Sequence, residues 1–276
     1  MKVVLFCGGQ GTRLREYSEA LPKPMVRIGD RPILWHIMKY YAHFGHKDFI
    51  LCLGYKGAAI KEFFLNYDEW VSNDFVLSNG GGDLQLFNRD IDDWNITFVD
   101  TGIHSSIGER LTTVRPFLQD EEIFLANYAD GLTDLWLPEF VDTFRASENI
   151  AGFIAVRSPQ SFHIARVAED STVTEICLLS EAQHWINGGF FVLRNEIFNY
   201  LHPGEDLVAE PFQRLIEERA LTAHRHDGFW RPMDTFKDKQ AFDDLYESGV
   251  TPWEVWKGNP PMTTDDEGKT SRSGGD

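Results

Sequence analysis

The sequence predicts an α/β fold: a doubly wound, Rossmann-like sheet that carries a smaller, partly antiparallel lobe. Three observations lead there. Short apolar runs of strand length recur at Val3 to Cys7, Asp48 to Leu53, Trp94 to Val99 and Glu122 to Tyr128. Segments with three- and four-residue apolar spacing alternate with the first of these runs, which is the rhythm of parallel strands joined by crossover helices. Beyond residue 150 that rhythm gives way to short strands separated by turns, at Ala151 to Arg157, Ile164 to Ala168 and Val173 to Leu179. Residues 1–256 read as one such domain, with a division near residue 150.

The first run, Lys2-Val3-Val4-Leu5-Phe6-Cys7, leads into Gly8-Gly9-Gln10-Gly11-Thr12-Arg13-Leu14. Gly8, Gly9 and Gly11 let a backbone approach a bulky anion closely, so that N–H groups line a phosphate. Arg13 adds fixed charge. The loop lacks the third glycine of a dinucleotide fingerprint and the Gly-Lys-Ser/Thr ending of a P-loop. A purely structural turn would not need three glycines beside an arginine, so phosphate binding is the better reading. Pro22-Lys23-Pro24-Met25 then stiffens the chain around a lysine that suits a second phosphate oxygen.

Pro32 to Tyr41 carries helical spacing with a proline at its first position, and Gly45 ends it. The strand Asp48 to Leu53, the turn Gly54-Tyr55-Lys56-Gly57 and a helix from Ala58 to Phe64 follow. Asn66 to Asp93 loses the pattern and reads as an excursion from the sheet. The strand Trp94 to Val99 ends in Asp100-Thr101-Gly102, and Ser105, Ser106, Gly108 and Arg110 lead into a helix. Those residues suit an anion or a base edge, and equally a capped helix with an exposed arginine. Glu122 to Tyr128 delivers Ala129-Asp130-Gly131 to the carboxyl end of a strand, where open α/β sheets bind ligands. Asp130 is therefore the first functional carboxylate, with Mg²⁺ as its natural occupant near phosphates. Trp185 to Leu193 resumes strand character around Asn187-Gly188-Gly189. Val208 to Ala220 is helical, and Phe229 to Thr235 brings a second carboxylate, Asp234. From Met262 onward the composition is that of a disordered tail.

Composition narrows the partners. The net charge of −17 argues against nucleic acid or an anionic membrane, and it requires that an anionic substrate be held by a local positive cluster. No apolar run approaches a membrane span and no secretory segment opens the chain, so a cytoplasmic protein is expected. Cys7, Cys52 and Cys177 are odd in number and sit within apolar stretches, as buried packing residues do.

The glycine loop, Pro22-Lys23-Pro24-Met25, Asp130-Gly131 and Asn187-Gly188-Gly189 together resemble the sugar-phosphate nucleotidylyltransferases. Pro32 to Lys39, Gly54 to Gly57, Val99 to Gly102, Ile186 to Phe191, Gly228-Phe229-Trp230 and Pro232 to Thr235 are similar to the glucose-1-phosphate cytidylyltransferase branch. The resemblance implies a Rossmann-like nucleotidyltransferase sheet with an acceptor-binding lobe, a homo-oligomer, and CTP and a sugar phosphate as partners. It implies transfer of CMP to a sugar 1-phosphate, most simply α-D-glucose 1-phosphate. By analogy, Arg13, Lys23 and Asp130 are catalytic. Cys7, Gly8, Gly9, Gln10, Gly11, Thr12, Arg13, Lys23, Ser105, Arg110 and Ala129 contact the nucleotide. Asn187, Gly188 and Gly189 bind the acceptor, and Asp130 and Asp234 hold Mg²⁺.

Besides a sugar-loop region, Ser161 to Arg166, that lacks the glycine expected of the family, two departures stand out. The family commonly carries Glu-Lys-Pro before Asn-Gly-Gly, and its lysine grips the sugar phosphate, whereas here Glu175 to Glu181 contains no lysine. Loss of one charge-assisted contact costs ~1.5–3 kcal/mol. Arg157, Arg166 and His184 are candidates to replace it. The second departure is Ala129 where a glycine is common, which reads as a mild change. Three readings follow: transfer to glucose 1-phosphate, CTP-dependent transfer to another phosphorylated acceptor, and a nucleotide-binding regulator without turnover. Arg13, Lys23, Asp130 and Asp234 speak against the last.

Overall fold

Strand β1 (Val3–Phe6) sends alternate side chains into two apolar layers, and the molecule is built outward from that alternation. Val3, Leu5 and Cys7 enter one layer, and Val4 and Phe6 enter the other. Every one of the five is buried, which accounts for a run with no polar residue. The computed structural model describes residues 1–9, 21–159, 163–179 and 184–258. The glycine-loop residues Gln10, Gly11, Thr12 and Arg13, and the tail from Met262 onward, lie outside them.

Six further strands complete the central sheet: β2 (Asp48–Leu53), β3 (Asn95–Asp100), β4 (Ile123–Asn127), β5 (Ala151–Val156), β6 (Ile186–Arg194) and β7 (Leu221–His226). Their order is β3-β2-β1-β4-β6-β5-β7. Strand β6 runs antiparallel to both its neighbours, and all other pairs are parallel. The chain winds from β1 outward to β3 and then returns to place β4 on the other side of β1. The carboxyl ends of β1 and β4 therefore meet at a topological switch point, where such sheets bind ligands.

Helices α1 (Ile33–His43), α2 (Gly57–Leu65), α4 (Leu137–Arg145) and α6 (Phe236–Glu247) cover the layer that holds Leu5. Helices α3 (Ile107–Val114) and α5 (Glu210–Glu217) cover the opposite layer. Helix α1 is buried on nearly all sides, since it lies between the sheet and the segment around Trp253. The indole of Trp253 donates to His36 Nδ1 at 3.3 Å and packs against Phe242 and Phe229. No helix among the described residues is long and apolar enough to cross a membrane.

The structure refines several sequence expectations. Pro32 is the residue before helix α1 and not its first residue; its extended backbone (φ −68°, ψ 154°) sets the entry angle. The excursion between residues 66 and 93 holds an exposed ribbon of Phe75–Ser78 paired with Asp83–Leu86. Strands β5, β6 and β7 continue the main sheet, so the antiparallel lobe is smaller than the turn pattern suggested. Among the described residues the ribbon His163–Val167 with Val173–Leu178 stands apart from that sheet, as does the short pairing of Trp230–Pro232 with Gly131–Thr133. Cys7 and Cys52 are buried, as expected of packing residues, whereas Cys177 is only partly buried, because it lies on the exposed strand Val173–Leu178.

Candidate active site

Gly8, Gly54 and Gly102 follow the carboxyl ends of β1, β2 and β3; Arg110 crowds the first two, and at Gly102 a Cβ would fall 2.8 Å from Ser105 Oγ on a backbone of φ +91°. The Arg110 guanidinium donates to Gly8 O at 2.8 Å, Thr101 Oγ1 at 2.7 Å and Leu53 O at 3.3 Å. A Cβ on Gly8 would fall 1.9 Å from Arg110 Nη1. A Cβ on Gly54 would fall 2.8 Å from Gly8 O and 3.0 Å from Arg110 Nη1, so Gly54 belongs to the same cradle. Gly9, by contrast, is exposed and would meet nothing within 4 Å. Burial lowers the Arg110 pKa, and Cys52, Cys7, Asp100 and Glu109 oppose that shift. Its partners along the cradle are neutral acceptors, so a positive charge is held against Gly8.

Helix α3 is indeed capped. Ser106 Oγ accepts from Glu109 N at 3.1 Å while Glu109 Oε2 accepts from Ser106 N at 2.8 Å, a reciprocal capping box. The arginine it presents is buried and not exposed. Ser105 Oγ donates to Thr101 O at 2.5 Å and so ties the β3–α3 loop shut. Cys7 contributes through its backbone, donating N–H to Cys52 O at 3.0 Å, and burial pushes its thiol well up, where it is inert.

Beside this cradle three charged residues converge. Lys23 Nζ lies 2.8 Å from Asp130 Oδ2 and 2.6 Å from Asp234 Oδ1. Lys23 opens a single 3-10 turn, Lys23–Met25, in which Met25 N donates to Pro22 O at 2.8 Å and the two flanking prolines fix the backbone. Asp130 lies beyond the Asn127 end of β4, across Tyr128 and Ala129, and leads straight into Gly131. A two-stranded ribbon then pairs Gly131 with Pro232, Leu132 with Arg231 and Thr133 with Trp230. Met233 N donates to Asp130 O at 2.8 Å as that ribbon continues, and this register carries Asp234 to Asp130. Asp238 Oδ2 accepts from Asp234 N at 3.1 Å and Thr235 N at 2.8 Å, which pins the second carboxylate to the start of α6.

Burial pulls the Lys23 ammonium down, but Asp130 and Asp234 outweigh it and hold the pKa above the ordinary lysine value. The ammonium is therefore charged across the neutral range. Asp130 and Asp234 keep 31% and 30% of their side-chain surface exposed, enough for a cation or a phosphate to reach them. No group of three or more His, Cys, Asp or Glu side chains suited to a metal occurs among the described residues. Ala129 is not the mild change expected: its φ of +59° is left-handed and its side chain is fully buried. A Cβ costs ~1–2 kcal/mol in that conformation. Asn127 Oδ1 stabilises the turn by accepting from Ala129 N at 2.7 Å.

Asn187, Gly188 and Gly189 begin strand β6 where its register with β5 shifts between Phe153 and Ala155. Gly189 has φ +77°, and a Cβ there would lie 2.7 Å from Tyr128 Cδ2. A Cβ on Gly188 would lie 2.6 Å from Ile154 Cγ1, and Trp230 Nε1 donates to Gly188 O at 2.8 Å. Asn187 Nδ2 donates to Tyr128 OH at 3.3 Å and its Oδ1 accepts from Gly189 N at 2.9 Å. The three residues thus form a bulge that holds Trp230 and Tyr128 against the end of the sheet. Sequence reasoning did not single out Gly54, Tyr128 or Trp230. The quoted Gly54 turn and Gly228-Phe229-Trp230 were the available signals.

A nucleotidyl transferase family model matches residues 2–239. The chain is 39% identical over 262 residues to the glucose-1-phosphate cytidylyltransferase of Salmonella typhimurium strain LT2, covering 93% of this chain and 100% of that one. Among solved structures, UDP-glucose pyrophosphorylase in complex with UDP-glucose superposes with a TM-score of 0.65 at 14% identity, covering 90% of this chain and 98% of the other. HddC of Yersinia pseudotuberculosis gives 0.61 at 18% identity, covering 89% and 99%. Those two share the fold.

Proposed function

The chain belongs to the nucleotidyl transferase family, and we propose that within it the chain is a cytidylyltransferase that joins CMP from CTP to α-D-glucose 1-phosphate and releases pyrophosphate. The meeting of Lys23 with Asp130 and Asp234 beside the glycine cradle carries this reading. Its full-length similarity to a glucose-1-phosphate cytidylyltransferase supplies the choice of nucleotide and sugar. On this reading residues 1–150 bind the nucleotide and residues 151–256 the acceptor. The enzyme works in the cytoplasm, as a homo-oligomer.

Two carboxylates sharing one cation suit Mg²⁺, which keeps most of its waters and takes one or two protein carboxylates together with phosphate oxygens. Asp130 and Asp234 would hold the Mg²⁺, whose contribution there would be to neutralise phosphate charge. Gly8 and Gly9, with Gly11 and Arg13, bring N–H groups and charge to the triphosphate. Arg110 adds its charge against Gly8. Lys23, fixed by its prolines, supplies positive charge beside the α-phosphorus. An oxygen of the acceptor phosphate forms its bond to that phosphorus as the bond to the bridging oxygen breaks, and pyrophosphate carries the electron pair away. Positioning and charge neutralisation do the catalytic work. The bulge at Asn187, Gly188 and Gly189 shapes the acceptor side.

Mass spectrometry of a reaction containing CTP, Mg²⁺ and glucose 1-phosphate is expected to find CDP-glucose. CTP bound tightly with no CDP-sugar from any of a panel of sugar phosphates would overturn the assignment in favour of a regulator.

A further inference from the structure

We propose that Arg157 and Arg225, both set over the ring of Trp185, grip the acceptor phosphate in place of the lysine this chain lacks; the inference rests on the sugar-phosphate reading above. Their guanidinium carbons lie 4.6 Å and 5.6 Å from the Trp185 ring centroid. Sheet register explains the grouping. Ala155 pairs with Asn187 on one side and with Arg225 on the other, and Val156 pairs with Ile186 and His226. Side chains alternate along strands, so Arg157, Trp185, Asn187 and Arg225 share one face, at the carboxyl edge that also carries Asp130. Asn187 links that face to Tyr128, two residues from Asp130.

The other candidates are Arg166 and His184. Arg166 sits on the ribbon His163–Val167, which is not part of the sheet whose edge carries Asp130. His184 is exposed and precedes strand β6. Arg157 forms an ion pair with Asp227, whose Oδ1 accepts from its Nε at 3.4 Å; that pair orients the guanidinium and offsets part of its charge. Among the described residues Arg225 forms no ion pair. Two guanidinium groups beside one indole repel each other, and an anion between them relieves that repulsion. In a chain of net charge −17 such a pair is an unusual local concentration of positive charge. A phosphate monoester, near two negative charges at neutral pH, is the ligand class that matches, and the planar fork of arginine suits its oxygens.

The test is steady-state pyrophosphate release by wild type, Arg157→Gln, Arg225→Gln and the double variant, with Arg→Lys at each site. Each Gln variant is expected to raise the acceptor KM roughly tenfold to a hundredfold with the CTP KM within about twofold, and Lys to recover part of the loss. Both residues are exposed, and thermal unfolding is expected to match wild type. An unchanged acceptor KM in the double variant would overturn the grip and leave the cytidylyl assignment standing. Absence of wild-type turnover would instead overturn that assignment. The grip is then decided by calorimetry with glucose 1-phosphate: weaker binding in both Gln variants than in wild type supports it, and equal or undetectable binding in all overturns it.

Discussion

Arg110 shows how a single residue can look like one thing in sequence and be another in the fold. A lone arginine at a helix start suits either a ligand contact or a solvated charge, and neither reading includes a buried guanidinium under three strand ends. Its role follows from Gly8, Leu53 and Thr101, residues brought together only by the sheet. Arg110→Leu removes the donor to Gly8 O and Thr101 Oγ1, while Leu53 O keeps the Thr101 N–H and hydroxyl, and is expected to cost ~2–4 kcal/mol in denaturant unfolding. Arg110→Lys is expected to recover little, since one ammonium cannot span the three acceptors. Stability equal to wild type in the leucine variant would contradict the account of the cradle. Lys23, Asp130 and Asp234 were legible because each sits in a short motif with its own backbone logic. That the lysine bridges the two carboxylates was not, because it depends on the pairing of Gly131 with Pro232.

At the scale of elements, the strands with uninterrupted apolar runs were readable and the amphipathic pieces less so. Helix α6 went unread because its sequence is rich in Asp and Lys and only Phe242 is fully buried. Its start was nevertheless signalled by Thr235 and Asp238, which form a capping box. Helix α1 and the Trp253 segment are joined through His36, whose Nε2 donates to Ile28 O at 3.1 Å while Nδ1 accepts from Trp253. This pattern fits a neutral ring. Burial lowers the His36 pKa to about 4, against smaller opposing effects of Ile28 and Glu254. An unfolded histidine takes up its proton near pH ~6.5, so the unfolded chain binds more protons below that value. Stability therefore falls as pH drops from ~6.5 to ~4, by about 3 kcal/mol from this residue, and flattens below. His46, also lowered to about 4 by burial, adds to the same window. His36→Gln is expected to lose less stability than wild type over that range, in urea unfolding at a series of pH values. An identical pH dependence would contradict a neutral buried ring at position 36.

For the whole molecule, the order β3-β2-β1-β4-β6-β5-β7 explains why ligand chemistry collects where it does. The alternation of strands and helices in the first half made the doubly wound sheet legible. The continuation of that sheet through β5, β6 and β7 was not, because short strands between turns look the same whether they extend a sheet or form a separate lobe. Placing both halves on one sheet brings the cradle of β1, the carboxylates of β4 and α6 and the bulge of β6 to one carboxyl edge. The central claim is that this edge transfers a cytidylyl group with Asp130 and Asp234 at its centre. The most direct test is pyrophosphate release from CTP and Mg²⁺ with glucose 1-phosphate, run on wild type, Asp130→Asn and Asp234→Asn, with UTP and dTTP as controls and CTP binding measured alongside. The account predicts CTP-selective turnover by wild type, and in each variant a loss of turnover of at least about a hundredfold with a much smaller change in CTP affinity. Turnover at the wild-type level in either variant would contradict it.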